Sequence, residues 1–180
     1  MKRIILSEYI SLDGVIENPA WTMPYWGDDI AKFKFDELFA SDALLLGRVT
    51  YEGFAKAWPT MQDEAGFGDR MNNLPKHVAT TTLTKPEWNA QFIKDNVVET
   101  VTKLKQASGQ ELLIFGSGNF VQTLMKHNLI DEYRLLVYPV VLGNGQRLFT
   151  DESKATLKLV DTKTFSSGVI ALIYHPAPQA

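Results

Sequence analysis

Twice in this chain a short, unbroken apolar run stops at a glycine and a helix-period segment follows. The first is LLLGRVTYEGF (44–54) and the second is ELLIFGSGNFVQTLM (111–125). An unbroken apolar run of four or five residues suits a strand buried on both faces. Such a strand, followed by a helix, is half of a parallel β–α–β unit. The fold class is therefore α/β. The chain has 180 residues, enough for a single domain with one sizeable core.

The rest of the chain fits around these two units. RIILSEYI (3–10) reads as a buried first strand. A long loop over 11–29 carries Trp21, Tyr25 and Trp26. DDIAKFKFDELFAS (28–41) places apolar residues at 31, 35, 38 and 39, the spacing of one helix face, with Asp28 or Asp29 as its cap. ALLLG (43–47) is a strand, and VTYEGFAKAW after it is a helix stopped at Pro59. Residues 60–76 read as loop with at most a short helix, 77–83 as a β-prone run and 97–106 as a helix. DEYRLLVYPVVLG (131–143) reads as a long strand, and Pro139 inside it predicts an edge position or a bulge. TLKLVDTKTF and VIALIYH, joined by SSG, read as a β-hairpin. The prediction is one three-layer domain over 1–180. Its sheet is mixed but mostly parallel, flanked by helices, with an antiparallel hairpin at the C-terminal end.

Composition excludes several chemistries. There is no cysteine, so disulfides, thiol nucleophiles and cysteine metal sites are out. His77, His127 and His175 are widely spaced and predict no metal site. The net charge of −3, without a basic run, argues against nucleic acid as a partner. No apolar stretch reaches the roughly 20 residues of a membrane span. The N-terminal apolar run is broken by Ser7 and Glu8, which makes a poor signal peptide. A soluble cytoplasmic protein is expected.

Gly116-Ser117-Gly118 sits where a strand becomes a helix. Glycine lets backbone N–H groups approach an oxyanion closely, and the helix start adds unpaired N–H groups and a positive dipole end. Ser117 or Asn119 could add a donor. The same residues would also make a plain tight turn. The Rossmann fingerprint does not fit, because Val121 stands at its third glycine and Leu135, Leu136 and Val137 stand where its acid belongs. At the other turn, Arg48 offers a fork of donors suited to phosphate, and Thr50 can cap the helix or bind an anion. Both turns lie at carboxyl ends of parallel strands, so both open on the sheet edge where ligands bind. Two helix starts there could grip one pyrophosphate, and Thr80-Thr81-Thr82 could reach the same ligand.

The ordered set SLDGVIE, DDIAKF, LLLGRVTYE, TTT, FGSGNFVQTL and LIDEYRLLVYPVVLGNGQRLF resembles the dihydrofolate-reductase-like fold over nearly the whole chain. More closely, it resembles the reductase domain of bifunctional riboflavin-biosynthesis enzymes and their stand-alone relatives. The deaminase half of those enzymes is absent from this sequence. The resemblance implies an NADPH-dependent reductase of a small heterocycle. The nearest named reaction is reduction of a phosphoribosylamino-uracil to its ribitylamino form. Pterin reduction and a non-catalytic nucleotide-binding module are the alternatives. The resemblance assigns the cofactor to Ile16, Gly47, Arg48, Val49, Thr50, Thr80, Thr81, Thr82, Gly116, Ser117, Gly118, Asn119, Phe120 and Val121. It assigns the substrate to Trp26, Asp29 and Phe33, with Asp29 as the catalytic acid, although capping alone would also choose an Asp there. Lys32, Lys34, Arg70 and Arg147 are candidates for a substrate phosphate. Relatives are often dimeric, and the apolar 131–143 strand, if at an edge, would be covered in a homodimer.

Overall fold

The apolar runs become the middle of one eight-stranded sheet. The computed structural model describes residues 1–61 and 63–178. In chain order the strands are β1 (Arg3–Ser11), β2 (Ser41–Gly47), β3 (Lys76–Ala79), β4 (Ala90–Ile93), β5 (Glu111–Phe115), β6 (Glu132–Tyr138), β7 (Leu157–Thr164) and β8 (Ile170–Pro176). The helices are α1 (Asp28–Phe39), α2 (Arg48–Ala57), α3 (Phe67–Asn73), α4 (Val97–Gln106) and α5 (Gly118–Lys126). The strand order is β4-β3-β2-β5-β1-β6-β8-β7. The first six of these run parallel, and β8 and β7 pair antiparallel. Among the described residues, no helix is long and apolar enough to cross a membrane.

Burial explains why the runs have no polar alternation. Ile5, Leu44, Leu46 and Leu113 face one layer, where they meet Leu38 of α1, Tyr51 of α2 and Met71 of α3. Their neighbours Ile4, Leu6, Leu45, Leu112 and Ile114 face the other layer, with Val101 of α4 and Phe120, Val121 and Leu124 of α5. Successive residues of a strand point to opposite faces, so two helix layers require apolar residues at every position.

Several expectations change. The 131–143 strand ends at Tyr138, before Pro139, and it is not an edge. β6 bonds to β1 on one side and β8 on the other. The homodimer argument built on a free β6 edge therefore falls; the open edges are β4 and β7. The 77–83 run leaves the sheet after Ala79, because the Thr80 hydroxyl oxygen accepts the N–H groups of Thr82 and Leu83 and turns the chain. β4 is a strand that the sequence pattern does not announce; of its four residues only Ile93 is buried, which leaves little periodic signal. The 11–29 loop contains a 3₁₀ helix at Pro19–Tyr25, and Pro59 sits inside a 3₁₀ turn that continues α2.

At the amino end of the sheet, charges are paired tightly. The Glu132 carboxylate, 7% exposed, meets Arg3 at 2.5 Å, Arg134 at 2.6 Å and the His175 ring at 2.8 Å. Burial opposes its charge, but His175, Arg134 and Arg3 together hold its pKa down to about 2. A carboxylate whose pKa is depressed by folding stabilises the protein above its unfolded pKa, and that stability is lost as pH falls toward the folded value. Denaturant unfolding at stepped pH should therefore lose about 2 kcal/mol from this group between pH 5 and pH 2. Glu132→Gln should flatten the curve in that window, and an unchanged slope would remove Glu132 as its source.

Candidate functional site

The two glycine turns touch. β2 and β5 are neighbours, with Leu45 level with Ile114, so Gly47 and Gly116 emerge side by side. The Gly47 N–H donates to the Ser117 hydroxyl oxygen at 2.7 Å. A Cβ on Gly47 would lie 3.2 Å from the Ser117 Cβ, and one on Gly116 would lie 3.1 Å from the Thr50 Oγ1. Gly116 also has a φ of +61°, a left-handed backbone that suits glycine. The turns approach this closely only because neither glycine has a side chain.

Neither helix start is capped by a side chain. α2 begins after Gly47 and α5 after Ser117, which is itself left-handed at φ 76°. Ser117 spends its hydroxyl on Gly47 and Thr50 packs against Gly116, so neither acts as a cap. The first N–H groups of α2 and α5 have no acceptor within their own helices. Because the helices lie on opposite faces of the sheet, the two positive ends meet at one sheet edge.

That edge opens into a cleft of about 1710 Å³. Its wall includes Gly47 to Thr50, Thr80, Thr81, Gly116 to Phe120 and Ile16, with Trp26, Phe54 and Trp58 as apolar surface. Ile16 is held in place from its backbone: its N–H donates to the Gln146 carbonyl at 2.9 Å. Asp13 secures the same pair of loops by accepting the Leu142 and Gly143 N–H groups. The Ser11 hydroxyl and these two donors lower its pKa to about 2. Gln146 crosses the second turn and donates to the Asn119 Oδ1 at 3.0 Å. Arg48 is half exposed at the cleft and pairs with Glu52 at 2.6 Å, one helical turn away.

Four of the cofactor and substrate-ring candidates, and Arg70 and Arg147 of the phosphate candidates, fall outside the cleft wall. Asp29 turns to the β7–β8 hairpin, where its carboxylate accepts the Ser166 N–H at 2.7 Å and the Ile30 N–H at 2.9 Å. The Ser166 N–H above all lowers its pKa, so it is a carboxylate and not an acid. Phe33 packs edge-on against Phe165. Thr82 lies past the Thr80 turn and outside the cleft lining, and Val121 is fully buried on the core face of α5. Of the basic candidates, Lys34 alone is buried at the cleft. Lys32 pairs with Asp36 at the rim, Arg70 donates to the Ser41 carbonyl and Arg147 to the Asp13 carbonyl.

The floor holds residues that the sequence reading passed over. β5 ends at Phe115, level with Ser7, while β1 runs on beside β6, and Glu8, the next residue, lines the cleft. Glu8 is 5% exposed. Its Oε1 accepts the Tyr9 N–H at 3.2 Å, and its Oε2 has no partner among the described residues. Burial pushes its pKa up to about 8 against the opposing pull of Lys34 and the Tyr9 N–H. Beside it the Lys34 ammonium donates to the Ser7 hydroxyl at 2.6 Å and meets Glu37 at 2.8 Å. The available signal is the one carboxylate inside a mostly apolar strand.

Three comparisons accord with this geometry. The model of the RibD C-terminal domain matches residues 2–171. The chain is 34% identical to protein YyaP of Bacillus subtilis over 97% of this chain and 95% of that one. It is 30% identical to YwjB of the same organism over 93% and 95%. A putative riboflavin biosynthesis protein from a Shewanella species superposes with a TM-score of 0.79 at 22% identity, over 98% of this chain and 99% of that one. The deaminase/reductase of Thermotoga maritima superposes at 0.69 and 17% identity, over 98% of this chain and 57% of its own. A match to the RibD C-terminal domain over residues 2–171, almost the whole chain, makes this protein a member of the RibD C-terminal domain family.

Proposed function

We propose that this protein is an oxidoreductase that binds NADPH across its two glycine turns and reduces a small planar heterocycle. One observation carries the reading: two uncapped helix starts, on opposite faces of the sheet, are locked together at the mouth of one cleft. Unpaired N–H groups with a positive dipole end suit a pyrophosphate. Family membership supports reductase chemistry, and the Thermotoga neighbour is named as a uracil reductase.

The residues fit the cofactor by type. The α2 and α5 starts would hold the pyrophosphate, with Gly47 and Gly116 allowing close approach. Arg48 would take a ribose 2′-phosphate, exchanging its bond to Glu52 for a doubly charged partner. Thr80 and Thr81 would line the adenosine side, and Ile16 the nicotinamide side. When bound, the reduced cofactor supplies a hydride to an unsaturated carbon of the substrate. The chain's own part is to bind, to orient and to provide the proton. The apolar walls at Trp26, Phe54 and Trp58 suit a flat ring. The pterin alternative leaned on Asp29 inside the cleft. With both Asp29 oxygens bonded to N–H groups elsewhere, a pyrimidine-type ring is the better reading.

Titration with NADPH and NADH, followed by nicotinamide fluorescence, tests the cofactor. Both should bind at sub-millimolar concentration, NADPH tighter, and failure of both ends the reading. Arg48→Ala should weaken NADPH about ten- to a hundredfold and leave NADH nearly unchanged, since one charged hydrogen bond is worth about 1.5–3 kcal/mol. Equal losses would remove its 2′-phosphate role. Ser117→Ala deletes the link between the turns without altering the backbone demand. It should cost about 1 kcal/mol of stability in denaturant unfolding and weaken both nucleotides alike.

A further inference from the structure

We propose that Glu8 is the proton donor of this reductase: its carboxyl, held at the crevice between β1 and β5, gives a hydrogen from Oε2 to a ring or imine nitrogen of the substrate. This rests on the reductase reading above. The position comes from topology. The chain leaves β1 through α1 toward β2, and leaves β5 through α5 toward β6. α1 packs on one face of the sheet and α5 on the other, so the two connections leave to opposite faces and a crevice lies between the carboxyl ends of β1 and β5. Glu8 stands in that crevice, one residue beyond the last paired level of the two strands.

The hydrogen bonding assigns the proton. Oε1 accepts the Tyr9 N–H, so it serves as the carbonyl-like oxygen. Glu8 is part of the cleft lining, and its Oε2 is buried with no partner among the described residues. A buried hydroxyl without an acceptor is costly, and a substrate nitrogen would satisfy it. The surroundings keep the group neutral at rest. Burial is the largest influence, and the nearest cation, Lys34, is already committed to Glu37 and Ser7. The other groups packed here are the Tyr9 and Tyr138 phenols, which stay protonated, and Arg134, whose Nη1 lies 3.5 Å from Glu37. None of these places a second free cation beside Glu8.

The proton balance is simple. Reduction of a C=N bond needs a hydride at carbon and a proton at nitrogen. The carbon takes the hydride from the reduced dinucleotide of the proposed function. The Oε2–H bond breaks, its hydrogen forms the new N–H bond, and the electron pair stays on the carboxylate. That carboxylate faces Lys34, which stabilises it until solvent returns a proton after product leaves.

Two readouts test this. Infrared difference spectra of wild type against Glu8→Gln should contain a protonated carboxyl band at pH 7 that titrates away near pH 8. Glu8→Gln keeps the acceptor for Tyr9, so nucleotide affinity should stay within about twofold. Its turnover of a ribosylamino-uracil should fall about 10²- to 10⁴-fold, the usual contribution of a general acid. The wild-type kcat/KM should fall above about pH 8, and that limb should vanish in the variant. Should Glu8→Gln not fold, Glu8→Asp carries the comparison and should retain the limb. A carboxyl already ionised at pH 7, or variant turnover near wild type with the limb intact, overturns the donor role alone. If wild type binds neither nucleotide, the reductase reading fails and the donor role falls with it.

Discussion

A 2.7 Å hydrogen bond from the Gly47 N–H to the Ser117 hydroxyl oxygen joins two turns that lie 70 residues apart in the chain. The candidate site is built around this contact. It sets the separation of the α2 and α5 starts, and through Thr50 against Gly116 it sets their rotation. Side-chain capping would have neutralised each helix start locally. Here the serine that could cap α5 is turned to the other turn instead, so both helix ends keep donors free at the cleft. The cost is a left-handed serine and two glycines, each of which weakens its local structure slightly.

The carboxylates around the cleft make the same point about environment. Asp13 and Asp29 each accept backbone N–H groups, and their pKa values fall. Glu8 accepts one N–H, but it stands in a buried crevice, and burial dominates. One chemical group thus takes opposite states within a single fold. The difference comes from how many donors each carboxylate meets and how much water surrounds it.

Much of the architecture was legible in the residues. Unbroken runs such as LLLG and ELLIF read as strands because both of their faces are buried, and that reading leads directly to a parallel sheet with two helix layers. What failed was local. β4 has four residues and little burial, so it left no pattern. Pro139 was counted inside a strand that in fact stops at Tyr138, and the strand became an apparent edge. The site was legible at the glycine turns, where backbone demands appear as residue types. It was illegible at the floor: Asp29 looked catalytic from its place at a helix start, while Glu8 looked like an interruption of β1. Which of the two meets the cleft depends on where β5 ends beside β1, and no local pattern encodes that.

The sequence by itself determined the fold class, the two glycine turns and their position at carboxyl strand ends, because burial and backbone geometry act residue by residue. Only the tertiary structure decided that the turns touch, that Asp29 faces the C-terminal hairpin, and that Glu8 lies buried in the cleft lining with one oxygen unpaired among the described residues. These depend on strand order. β5 inserts between β2 and β1, and that long-range choice brings Ser117 to Gly47 and opens the crevice around Glu8.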